Sequence, residues 1–178
     1  KEEYLLTGEL EQTNDAYAIA KIAGIKLCQA LNVQYGFDAI SVMPTNLYGP
    51  GDNYDKNNSH VMASFIRRFT EASKNKFTNV TCWGSGSSLR EFLHVDDLAS
   101  AVVYLLRYWD PKSPNSPKDH NGNILYHLNI GTGKDISIKD LANLISQKTG
   151  FHGEILWDTT KPDGTPKKQL DVSHIKSL

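Results

Sequence analysis

Tyr17 and Lys21 stand four residues apart in the run 14–28, Asn-Asp-Ala-Tyr-Ala-Ile-Ala-Lys-Ile-Ala-Gly-Ile-Lys-Leu-Cys. On a helix that spacing puts both on one face. The ammonium can then come within a few ångströms of the phenol oxygen, where it favours phenolate over phenol. Bringing a phenol from about 10 to about 7, where it can exchange a proton at neutral pH, takes roughly 4 kcal/mol. One lysine is not expected to supply all of that. The same pair also reads as packing and solvated charge, and its setting has to decide between the two.

The elements that must hold this pair are legible around it. Thr13 or Asn14 can cap the helix, apolar residues recur three and four apart along it, and Gly36 is a stop after Tyr35. Residues 38–43, Asp-Ala-Ile-Ser-Val-Met, read as a buried parallel strand that ends at Pro44. The loop 44–51 then leaves the strand's carboxyl end, the edge at which open α/β sheets bind ligands, although ordinary Pro/Gly turn chemistry explains it equally well. Ser59 can cap a helix that begins near His60, with Val61, Met62, Phe65, Ile66 and Phe69 on its apolar side. Arg67 and Arg68 are adjacent on it and so point in different directions.

Residues 79–83 alternate like a strand, and 84–87 close it into a turn. Trp83 shares a face with Thr81 and is either a core residue or a flat stacking surface. Residues 90–95 read as another strand, followed by a helix from Leu98 to Trp109 capped by Asp96 or Asp97. Arg90 offers a planar fork that fits two phosphate oxygens, or else a salt bridge to a neighbouring carboxylate. A polar, proline-rich surface loop spans 111–122, and 124–130 is a strand. Ser137 caps a helix through Lys148 with Ile138, Leu141, Leu144 and Ile145 as its buried stripe, and Gly150 ends it. Residues 154–157 form a last short strand before Lys161-Pro162-Asp163-Gly164-Thr165-Pro166, and a helix starts after Ser173. Residues 1–8 read as a loop.

Nineteen basic and twenty acidic residues leave a formal net charge of −1. No basic field attracts nucleic acid or an anionic membrane, so a phosphate-bearing ligand must be held by a few local cations. No apolar run approaches the length of a membrane span. Two cysteines and a start unlike a signal peptide point to a reducing, cytoplasmic setting. Gly84-Ser85-Gly86 and Gly131-Thr132-Gly133 lack the third glycine and the following helix of a dinucleotide fingerprint. Cys28 lies about 10 Å along the helix from Lys21 at 1.5 Å per residue, and it reads, like Cys82, as a buried structural thiol. His94, Asp96 and Asp97 read as strand-end and helix-cap groups, and no metal is assigned.

Five ordered segments, 17–28, 41–50 (Ser-Val-Met-Pro-Thr-Asn-Leu-Tyr-Gly-Pro), 58–61 (Asn-Ser-His-Val), 90–97 (Arg-Glu-Phe-Leu-His-Val-Asp-Asp) and 161–166, together resemble the extended short-chain dehydrogenase/reductase family. Within it they are similar to the branch that epimerises and reduces a GDP-linked 4-keto-6-deoxy-sugar. The resemblance implies an α/β chain made of the C-terminal part of an NAD(P)-binding Rossmann fold plus a smaller α/β substrate-binding domain. Residues 1–50 would complete the cofactor domain. Residues 51–178 would be mainly the substrate domain, with 90–110 and 124–131 packing back on the Rossmann sheet. Residues with the first βαβ units, the glycine-rich phosphate loop, the catalytic Ser and a Cys base are expected upstream, and a short piece beyond Leu178.

The resemblance also implies roles. Tyr17, Lys21 and His60 are the catalytic candidates, with His60 as the acid that reprotonates the sugar carbanion; an imidazole pKa near 6.5 suits that work. Lys21, Pro44, Thr45, Asn46, Leu47 and His60 would contact NADP(H), whose oxidised ring would add its positive charge to the pull on Tyr17. Arg68, Trp83, Arg90 and Asp163 would hold the GDP-sugar, and the complete enzyme would be a homodimer. Taken singly, His60 is also a capping or surface residue, Arg68 a solvated cation, and 161–166 a rigid surface loop. Two other readings stay open: another nucleotide-sugar epimerase or dehydratase of the same superfamily, or a binding fragment without activity.

Overall fold

A computed structural model describes residues 1–12 and 14–178. After a 3₁₀ turn, Glu2–Tyr4, the chain runs α1 (Asp15–Tyr35), β1 (Ser41–Pro44), β2 (Asn46–Tyr48), α2 (Val61–Lys74), β3 (Asn79–Trp83), β4 (Leu89–His94) and α3 (Val95–Tyr108). It continues with β5 (His127–Ile130), β6 (Asp135–Ser137), α4 (Ile138–Lys148), β7 (Glu154–Asp158), β8 (Lys167–Lys168) and α5 (Ser173–Lys176). The result is a mixed α/β chain in which parallel pairing dominates. Among the described residues no helix is long and apolar enough to cross a membrane. The chain divides into two compact units, residues 1–45, 96–132 and 170–178 in the first and 46–95 and 133–169 in the second.

In the first unit β1 pairs in parallel with β5, Ser41 opposite His127 through Pro44 opposite Ile130. Strand β5 is buried at every position. The expected buried strand at 38–43 is shorter and only half-buried, because β5 is its one strand partner among the described residues. Helix α1 ends as its sequence demands. Gly36 takes the left-handed conformation at φ 66°, which an L side chain rarely adopts, and the N–H groups of Gly36 and Phe37 return to the carbonyls of Asn32 and Leu31. At its start Asn14 occupies the cap position without a side-chain hydrogen bond, and the alternative at Thr13 lies outside the described residues. The 111–122 loop is more than a surface excursion: Trp109 Nε1 donates to Ser116 Oγ at 2.9 Å, and Pro111, Ser116 and Pro117 are buried.

The second unit holds two small sheets, β2–β4–β6 with β8 also on β4, and the parallel pair β3–β7. Helices α2 and α4 pack on its core, in which Phe65, Phe69, Val80, Cys82, Leu141 and Phe151 interlock. Burial of this kind is the main favourable term in folding. Ser137 caps α4 as expected, its Oγ accepting from Asp140 N at 2.9 Å. The predicted stripe on α4 needs one change, since Leu144 is 45% exposed and Ala142 is fully buried. Residues 138, 141, 142 and 145 form the i, i+3, i+4, i+7 row, and 144 lies beside it.

Two helix starts also differ from expectation. His60, in extended conformation, is the N-cap of α2 in place of Ser59, and its side chain makes no capping bond. Helix α3 begins at Val95 directly after β4, so Asp96 and Asp97 sit in its first turn rather than capping Leu98. There they still complement the positive end of the helix dipole.

Candidate functional site

The first unit presents Tyr17 and Lys21 on the opening turns of α1. Tyr17 is 64% exposed. Lys21 Nζ lies 5.5 Å from the centroid of the Tyr17 ring. The ammonium therefore rests over the ring face as a cation–π pair, where the spacing had suggested the phenol oxygen. Among the described residues no carboxylate pairs with Lys21, so its donors are available to a ligand. At the end of β1, Thr45 N donates to Ile130 O at 3.0 Å and Pro44 is exposed.

Residues 44–47 are not the loop the sequence suggests. Pro44 closes β1, and Asn46 and Leu47 open β2, opposite Phe92 and Leu93 of β4. Asn46 Nδ2 donates to the Glu91 carbonyl at 2.8 Å, which commits that amide to holding the two strands together. Glu91 itself is fully buried, and its Oε1 accepts from Gly133 N at 2.7 Å. Sequence reasoning passed over Glu91. The signal was there, because an acid that alternates inward with Leu93 must find a donor. At the end of β2, Gly49 has φ 150°, and a Cβ there would sit 2.6 Å from Val95 Cγ1.

The substrate-side candidates all belong to the second unit. Alternation along β3 turns Val80 and Cys82 into the core and Trp83 outward. At 71% exposure Trp83 is a presented surface, which answers the question the sequence left open. Lys161 Nζ stands 5.6 Å from the Trp83 ring. Arg67 and Arg68 do diverge: Arg67 bonds Glu71 one turn on at 3.1 Å, and Arg68 donates to the Thr81 carbonyl. Arg68, Thr81 and Trp83 line a shallow cavity of about 740 Å³ together with Lys56. His60 is exposed at the start of α2, and its neighbours Ser59 and Val61 line that cavity.

Asp163 ties the 161–166 loop to the turn after β3. Its carboxylate accepts from Ser85 N at 2.7 Å and Ser85 Oγ at 2.8 Å, and its carbonyl accepts from Ser88 Oγ at 2.9 Å. The bonds from the Ser85 hydroxyl and backbone hold its pKa below the usual aspartate value. Gly84, at φ 78°, allows this contact, since a Cβ there would lie 2.3 Å from Asp163 Oδ1. The geometry thus makes Asp163 a positioning residue first. Arg90 is half-buried, with Nη1 donating to Leu89 O at 2.7 Å and Nη2 beside Gly164 of the same loop. Cys82 is fully buried, and burial pushes its thiol pKa up; Cys28 is half-buried rather than buried.

In chemical terms, the second unit offers an exposed indole with an ammonium over its ring, the Arg68 guanidinium on the same cavity, and Arg90 beside a pinned loop. That set suits a flat base and an anion. The first unit offers a phenol with a cation beside it.

Comparison with known proteins places the chain in a family. A "Probable GDP-L-fucose synthase 1" from Oryza sativa subsp. japonica is 52% identical over 99% of this chain and 50% of its own length. A GDP-6-OMe-4-keto-L-xylo-heptose reductase from C. jejuni superposes with a TM-score of 0.87 at 34% identity, over 99% of this chain and 58% of that one. A GDP-L-fucose synthetase from Naegleria fowleri, bound to NADP, gives 0.79 at 29% identity, over 99% and 52%. This chain spans about half the length of the curated relatives it matches. Residues 1–130, which hold the Tyr17–Lys21 pair and β1 to β5, match the NAD dependent epimerase/dehydratase family, and the chain belongs to that family.

Proposed function

We propose that this chain is the proton-donating and substrate-holding part of an NADPH-dependent enzyme that converts GDP-4-dehydro-6-deoxy-D-mannose to GDP-L-fucose by 3,5-epimerisation and 4-keto reduction. The observation that carries the reading is Trp83, held out of β3 at 71% exposure with Lys161 over its ring. An indole kept in water serves no core, and it offers a stacking plane to a nucleobase. The half-length match to relatives named for this activity supports the same assignment.

The residues present fit the cofactor. Among the described residues Lys21 keeps its donors unpaired by carboxylate, and it stands one turn from an exposed tyrosine, a donor set suited to ribose hydroxyls. Lys21, with Pro44, Thr45, Asn46, Leu47 and His60, would hold NADP(H), which supplies hydride when bound. The 4-keto group of the sugar acidifies the protons at C3 and C5. After a base removes each proton, His60 Nδ1 or Nε2 returns one to the opposite face of the enolate, which inverts the carbon. Tyr17 Oη hydrogen-bonds the C4 oxygen and gives it a proton as the C–H bond forms. The Lys21 ammonium beside the ring offsets the negative charge left on Tyr17 once its proton has gone.

Arg68, Trp83 and Arg90 hold the GDP moiety, and Asp163 keeps the 161–166 loop against the turn that follows Trp83. The complete enzyme acts in the cytoplasm as a homodimer; the apolar side chains that α1 leaves in water, Ile19, Leu27 and Val33, support a covered face there. Calorimetric titration of the chain with GDP and with UDP tests the substrate class. Tighter GDP binding that weakens in Arg68→Ala and Trp83→Ala supports it, and equal affinity for the two nucleotides refutes it.

A further inference from the structure

Far from these groups in the sequence, the first unit gathers Glu2, Glu3 and His174. Glu2 is 1% exposed although it lies in the opening 3₁₀ turn. Its Oε1 accepts from Asn129 N at 3.0 Å, and Asn129 belongs to the fully buried β5. Its Oε2 is equally buried and has no hydrogen-bond partner among the described residues. Oε2 of Glu3 is in the same condition. A buried carboxylate oxygen without a donor is costly, and a native fold that keeps two of them side by side calls for a counter-charge.

We propose that Glu2, Glu3 and His174 form a binding site for a divalent transition-metal ion of the zinc type. One donor atom from each of the three lies within 4.8 Å of the others, and His174 Nε2 is 3.9 Å from the unpartnered Glu2 Oε2. Two carboxylates and a neutral imidazole carry the charge that balances a dication. The imidazole selects zinc or cobalt over magnesium and calcium, which prefer oxygen alone. Metal–donor bonds of about 2.0–2.2 Å require the three atoms to draw together by roughly 1 Å, which rotation of the side chains of Glu3 and His174 supplies.

The neighbouring basic side chains leave room for this. Lys1 Nζ and His120 Nδ1 approach Oε1 of Glu3, at 3.8 and 3.5 Å, and so leave Oε2 to the metal. A cavity of about 670 Å³ lined by Glu2 and Glu3 gives an entry path and space for a water in the remaining coordination position. The ion would join the 3₁₀ turn Glu2–Tyr4 to α5 across β5. The sequence does not announce the site, because packing of the 3₁₀ turn and α5 against β5 is what brings its members together.

The test is titration of the chelator-treated full chain with zinc chloride by calorimetry, with cobalt chloride followed by visible absorption. One equivalent should bind, with a ligand-field band for cobalt and a zinc-dependent rise in the thermal midpoint. His174→Gln and Glu3→Gln should each weaken binding at least tenfold and remove the rise in midpoint. Binding of less than one equivalent overturns the proposal, as does binding that survives both substitutions. In either case Glu2, Glu3 and His174 are a packed polar cluster that holds no metal of its own.

Discussion

Replacing Trp83 by alanine separates a binding residue from a structural one. The side chain is 71% exposed, and its recorded partner is Lys161, at 5.6 Å from the ring. An exposed cation–π contact is worth about 0.5–1 kcal/mol, so the folded chain should lose no more than about 1 kcal/mol. For a chain of this size that moves the thermal midpoint by about 2–4 °C. Stacking of a base on an aromatic side chain is worth about 1–3 kcal/mol by alanine substitution. GDP affinity should therefore fall between about fivefold and 150-fold. Calorimetric titration with GDP, run beside a thermal melt of each protein, reads both quantities. Unchanged GDP affinity in Trp83→Ala refutes the stacking role, and a fall in midpoint well beyond 4 °C would make Trp83 a packing residue.

Asp163→Asn removes a carboxylate whose pKa is lowered by bonds from the Ser85 hydroxyl and backbone. A lowered folded-state value means that its contribution to stability is complete above the ordinary value of 3.8 and is lost as pH falls through the lowered one. The difference in thermal midpoint between wild type and Asp163→Asn should accordingly be constant near neutrality and vanish in acid; a difference that grows in acid contradicts the assignment. Phe69→Ala, at a fully buried ring that meets Phe65 and Phe151 at 5.8 and 5.4 Å, should cost about 3–5 kcal/mol in urea unfolding. Gly86→Ala meets both a left-handed φ of 77° and the Trp157 ring at 2.7 Å, and it should cost at least about 2 kcal/mol by the same assay.

Much of the architecture was legible because local chemistry and fold agree. Gly36 and Tyr35 end α1, Ser137 starts α4, and 79–83 alternates as a strand with Cys82 buried, whereas the face that Trp83 takes was left open until the structure turned it outward. The short strands β6 and β8 escaped notice. Three and two residues are too few to show a period, and pairing with β4 defines them. Glu2 reads as an ordinary surface acid until β5 is seen to bury it. The same holds for Asn46, which carries no mark of its bond to the Glu91 carbonyl forty-five residues on.

The Tyr17–Lys21 pair was legible as a pair, and its geometry was not. Spacing fixes a shared face, yet the side-chain torsions lay the ammonium over the ring face. The second-unit candidates were legible as residue types. That Arg68 bonds Thr81 and Asp163 bonds Ser85 depends on contacts that join segments remote in sequence.

The most direct test of the proposed reaction joins this chain to the amino-terminal half of the rice relative in one polypeptide. Oxidation of NADPH is then followed by its near-ultraviolet absorbance on addition of GDP-4-dehydro-6-deoxy-D-mannose. NADPH consumption with GDP-L-fucose as product is the expected result, slowed about 100-fold or more by Tyr17→Phe through loss of the proton donor. Epimerised product without NADPH consumption, or consumption that Tyr17→Phe leaves unchanged, would contradict it.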